Sequence, residues 1–90
     1  MAIFEVPAES RKRYLTRRLE EIAKLEESHE LEFAKKVGHQ IKGNAATFLF
    51  PALTELGSEL ESAAIAADES LIETKVFELK VMVQKLLVEF

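Results

Sequence analysis

Apolar residues recur along the chain at intervals of three and four, the spacing that lines one face of an α-helix, and they nowhere alternate as in a strand. Four such segments follow. The first begins at Pro7, a residue favoured in a first helical turn, and runs to about Glu27 with Tyr14, Leu15, Leu19, Ile22 and Leu25 as its stripe. Ser28-His29-Glu30 breaks the pattern, with His29 expected on the surface. A second helix is expected from about Glu30 to Leu49, with Ala34, Val37, Ile41, Ala45 and Phe48 facing inward. Pro51 lacks an amide hydrogen and disfavours a helical Phe50, so a third helix should start at once and carry Leu53, Leu56, Leu60, Ala64 and Ala67 inward. It should end near Ala67. Ser70 and Glu73 have capping-box spacing for a fourth helix over about 71–89, whose inner positions are Ile72, Val76, Leu79, Val83 and Leu86.

Four helices joined by short connections predict an all-α fold, an antiparallel up-down-up-down four-helix bundle, with residues 1–90 forming a single domain. Composition narrows the chemistry. The chain has no cysteine and two histidines, which leaves no thiolate site and makes a bound metal improbable. A formal charge of −4 argues against a duplex nucleic acid as partner, because neutralised phosphates supply most of that affinity. No apolar run approaches the roughly 20 residues of a membrane span. Met1-Ala2-Ile3-Phe4-Glu5 lacks the basic start of a secretory signal, so a cytoplasmic location without a membrane partner is expected.

The candidate chemistry lies in His39-Gln40-Ile41-Lys42-Gly43-Asn44-Ala45-Ala46. With Val37 as the centre of the buried stripe and about 100° per residue, His39, Lys42 and Ala46 fall roughly 140° to 200° away. His39 should therefore point to solvent. A glycine inside a helix costs about 1 kcal/mol relative to alanine, so Gly43 is either tolerated for packing or left bare, with Ala46, to open an approach over the imidazole. His39 and Glu61 are each eleven residues from Phe50, so an antiparallel hairpin centred there sets them at one level. Glu61 is then either an ordinary exposed glutamate or a carboxylate that fixes the imidazole tautomer. Lys35, Lys36 and Lys42 are either a solvated face or cations placed to offset a phosphoryl group. Arg11-Lys12-Arg13 with Arg17 and Arg18 gives the first helix a basic face, solvated or apposed to an acidic partner.

His39-Gln40-Ile41-Lys42-Gly43, the phenylalanine-proline turn and Leu53-Thr54-Glu55-Leu56-Gly57-Ser58-Glu59-Leu60-Glu61 resemble the histidine phosphotransfer (HPt) domain of two-component phosphorelays over nearly the whole chain. The resemblance implies a phosphoryl carrier without catalytic activity or a cofactor of its own. In that reading His39 accepts the phosphoryl group from a response-regulator receiver domain or a sensor histidine kinase and passes it to another receiver. Lys42 helps hold the group, and Glu61 orients the imidazole. Gly43 lets the partner sit close, and Ala46, Lys35, Lys36 and Phe50 complete the expected partner-facing set. Neither a kinase nor a receiver domain accompanies these residues, so the chain resembles a stand-alone shuttle, and a domain excised from a larger protein would look similar. One departure is Leu49, where many members carry a second glycine. Two other readings stand beside this one: a receiver-docking bundle that takes no phosphate, and an adaptor that binds a partner helix. A metal enzyme is a distant third.

Overall fold

The computed structural model describes residues 6–28 and 30–90; His29 lies outside them. The described residues form α1 (Ala8–Ser28), α2 (Leu31–Asn44), α3 (Pro51–Ile65) and α4 (Glu69–Leu87), with no strand among them. The helices make an antiparallel four-helix bundle. Each contributes the stripe its spacing predicts: Leu15, Ile22 and Leu25 from α1, Val37 and Ile41 from α2, Leu53 and Leu60 from α3, Ile72, Leu79 and Val83 from α4 are all removed from water. Leu19, Phe48, Leu56 and Leu86 are partly buried against that core. Packing is uneven around the bundle: α2 lies chiefly against α3, α1 chiefly against α4, and α1 touches α2 little.

The helix ends differ from the expected ones for a common reason. A continuous helix to Leu49 would carry Phe50 about 220° from Val37, on the solvent side. Instead α2 stops at Asn44, a turn follows, and the Phe50 ring enters the core. The Phe50 N–H donates to the Ala45 carbonyl at 2.9 Å and the Leu49 N–H to Ala46 at 2.9 Å, the paired bonds of a Schellman ending. Leu49 holds the left-handed position of that motif at φ 66°. Arg11 of α1 satisfies two carbonyls of the turn, donating from Nε to Phe48 at 3.0 Å and from Nη2 to Leu49 at 3.2 Å. Its guanidinium lies 4.5 Å above the Phe50 ring.

α3 ends in the same way. Asp68 N–H donates to the Ala63 carbonyl and Ala67 N–H to Ala64, each at 3.0 Å, with Ala67 left-handed at φ 53°. Ala67 is consequently exposed, not an inner residue. The reversal frees Asp68 to cap α4, its carboxylate accepting from the Leu71 N–H at 3.1 Å. Ser70, the expected cap, falls inside the first turn of α4.

Arg18 departs from the expected basic surface. It is buried, its Nε 2.8 Å from Glu21 Oε1 and its guanidinium 4.8 Å above the Tyr14 ring. A charge placed there needs both partners, since an unpaired buried guanidinium costs several kcal/mol, roughly 3–5. Burial pushes the Glu21 carboxyl above its usual range, against the pull of Arg18.

Candidate functional site

Two glycines bring α2 and α3 together. A Cβ on Gly38 would stand 2.6 Å from the Glu61 backbone nitrogen and 2.7 Å from the Gly57 carbonyl oxygen. One on Gly57 would stand 2.7 Å from Ile41 Cγ2 and 2.8 Å from the Lys42 nitrogen. Each helix is bare where the other's backbone passes, so the hairpin closes to a separation that alanine would not allow. Sequence reasoning assigned no role to Gly38. Its signal was its angle, about 100° from Val37 and on the same flank toward which Glu61 leans.

That closeness sets the site. His39 projects outward from α2 with its side chain 72% exposed, and its Nδ1 lies 2.7 Å from Glu61 Oε2 on α3. The second carboxylate oxygen of Glu61 faces Lys42, with Nζ 3.6 Å from Oε1. The hydrogen bond from His39 is the chief cause that holds the Glu61 carboxyl below its usual range, with the charges of His39 and Lys42 adding to it against partial burial. A carboxylate so held is ionised near neutrality and can only accept. The hydrogen of a neutral His39 ring therefore sits on Nδ1, and the lone pair of Nε2 faces solvent.

The surroundings leave Nε2 reachable. Beyond its chain neighbours and the backbone of its own helix, a Cβ built on Gly43 meets nothing within 4 Å, and Ala46 is exposed in the turn beyond it. Gly43 belongs to the last turn of α2, not to a helix interior, so its helical cost is smaller than its sequence position suggests. On the other side of His39, toward the start of α2, Lys35 and Lys36 line an open depression of about 430 Å³ with Glu32, Gln40 and Glu61. One expected partner-facing residue is misplaced: Phe50 is 2% exposed, held beneath Arg11 and stacked near Tyr14, because the chain turns inward there. The exposed side chain at that corner is Leu49. Among the described residues, no three histidine, aspartate or glutamate side chains are grouped to hold a metal ion.

The described residues thus form four antiparallel helices that present His39 at the surface, tied by a carboxylate from the next helix. The family model of the Hpt domain matches residues 12–89, and the chain belongs to that family. Comparison with curated proteins and with solved structures gave no significant match. Members of the family are phosphocarrier modules of two-component relays, which interact with receiver domains and kinases. No described helix is long and apolar enough to cross a membrane.

Proposed function

We propose that this protein is a relay intermediate in which Nε2 of His39 takes a phosphoryl group from a receiver phosphoaspartate, or from a kinase, and yields it to another receiver aspartate. The observation that carries this reading is the 2.7 Å contact between Nδ1 and Glu61, which leaves the opposite nitrogen unprotonated and exposed. In the forward step the Nε2 lone pair attacks phosphorus in line with the departing carboxylate. A P–N bond forms as the acyl-phosphate P–O bond breaks, and the released aspartate leaves as a carboxylate. The ring gains positive charge as the bond forms. Glu61, hydrogen-bonded at the far nitrogen, offsets that charge without moving.

Lys42 has a flexible stem beside His39, so its ammonium can swing from Glu61 to a phosphoryl oxygen. Lys35 and Lys36 add positive charge one turn away and favour the approach of an acidic receiver surface. Gly43 and Ala46 provide the low ground on which that surface rests. In this reading the metal and most of the transition-state stabilisation belong to the receiver, and the present chain contributes a nucleophile, its orientation and a cleared approach.

Incubation with phosphorylated receiver domains tests the reading. Wild type should acquire an acid-labile phosphate and the His39→Gln variant none. Receivers that bind both forms equally while neither becomes labelled would make the protein a docking module instead.

A further inference from the structure

α4 carries a second apolar stripe that its own bundle does not use. Phe77 and Val81 are 64% and 47% exposed, and their four-residue spacing sets them on one face. Ser70, Thr74, Gln84 and Val88 share that face, about 160° round from the inner stripe, with Glu73 and Lys85 at its two margins. Ala52 and Leu56 of α3 flank it, and with Met82 they complete an open groove of about 410 Å³. Single exposed apolar residues are ordinary, whereas Phe77 and Val81 stand together beside Ala52, Leu56 and Met82.

The rim is charged unequally. Both charged residues on the α3 edge are carboxylates, Glu55 and Glu59, while the α4 edge carries Glu78 and Lys85. Lys75 spans the end of the groove, 3.5 Å from Glu59 Oε1 and 3.0 Å from Glu78 Oε1. Its charge is committed there, and Glu55 has no ion pair within the described residues. Lys75 and Lys85 together offset two of the three rim carboxylates, so the rim keeps a net negative charge, carried on the α3 edge by Glu55.

We propose that this groove docks an amphipathic helix of a partner protein, with apolar anchors one turn apart seated beside Phe77 and Val81 and with lysines or arginines along the edge that faces Glu55 and Glu59. Charge complementarity selects this occupant over a second copy of the same chain. The basic residues of the chain are concentrated on α1, whose exposed face holds Lys12, Arg13, Thr16, Arg17 and Glu20 and no large apolar side chain to fill the groove. On α3, Glu61 lies about 100° to one side of Leu60 and Glu59 about 100° to the other. The groove and His39 thus occupy different faces, and a docked helix leaves His39 free.

The test uses the whole ¹⁵N-labelled protein and, as probe, a synthetic amphipathic helix of leucine and lysine about four turns long. Backbone shifts should move along 52–59 and 77–85 and stay still around His39. Phe77→Glu, at a site already in water, should keep the thermal unfolding of wild type yet weaken probe binding about tenfold, the loss of one buried aromatic anchor. Glu55→Gln with Glu59→Gln should weaken it less and flatten its salt dependence. Shifts centred elsewhere, or equal binding of a matched leucine-glutamate helix, would overturn the proposal. So would Phe77-dependent self-association of the free protein, which would give the groove to a second copy. None of these outcomes bears on His39.

Discussion

At the scale of single residues, the site depends on which nitrogen of His39 carries the hydrogen. In the proposed reading Glu61 decides it, and removing Glu61 should cost about what a charge-assisted hydrogen bond contributes, roughly 1.5 kcal/mol. Glu61→Ala should accordingly slow transfer about tenfold without abolishing it. Unchanged single-turnover kinetics would deny Glu61 its orienting role. The pH dependence has a definite sign. Because the folded Glu61 carboxyl is held below its usual range, its pairing with His39 is fully present at and above that range and is lost as pH falls through the lowered value. In ¹⁵N spectra, the Nδ1–H form of neutral His39 should predominate in wild type. Glu61→Ala should return the ring to a mixture of tautomers. A mixture already present in wild type would contradict the assignment.

At the scale of elements, the helix ends and the one close helix pair give separate predictions. Leu49 and Ala67 occupy left-handed positions that cost an L-residue about 1 kcal/mol, and Leu49 packs little, being 53% exposed. Leu49→Gly relieves that strain while adding freedom to the unfolded chain, for a net gain of about 0.5 kcal/mol. Thermal unfolding should show a midpoint a few degrees higher, and Leu49→Ala should show no such rise. A lower midpoint in the glycine variant would mean that the Leu49 side chain has a packing role. Gly38→Ala should act in the opposite direction, costing about 1–3 kcal/mol by forcing α3 away from α2. Transfer should fall along with stability, since the same displacement draws Glu61 from His39. Full activity in a stable Gly38→Ala protein would show that the helices have slack.

At the scale of the whole molecule, the periodicity of apolar residues carried the fold, and symmetry about Phe50 carried the pairing of His39 with Glu61. Both are consequences of helix geometry, which repeats regularly enough to project over eleven residues on each side of a turn. The departures arise where tertiary packing overrides local pattern. Phe50 looks like an outward residue until the turn that buries it is known, and that turn depends on Arg11, distant in the chain. Arg18 reads as one more surface cation, but Tyr14 and Glu21 enclose it. Ser70 has the spacing of a cap, yet the left-handed Ala67 hands the role to Asp68. Gly38 marks a close approach whose other half, the backbone of Gly57 and Glu61, lies on another helix.

Gly43 links the fold to its expected partner, for it is exposed where the receiver is expected to rest. Gly43→Leu should leave the unfolding midpoint nearly unchanged, since nothing beyond its chain neighbours and its own helix backbone stands within 4 Å of the added Cβ, and should still block transfer from a receiver. Unfolding of that variant would assign Gly43 to packing. The most direct measurement for the account as a whole is the attachment site of the phosphoryl group, read by ³¹P and ¹⁵N resonance on protein labelled by a phosphorylated receiver. Coupling of phosphorus to Nε2 of His39 is the predicted result. Phosphorus on Nδ1, on another side chain, or nowhere on the chain would contradict it.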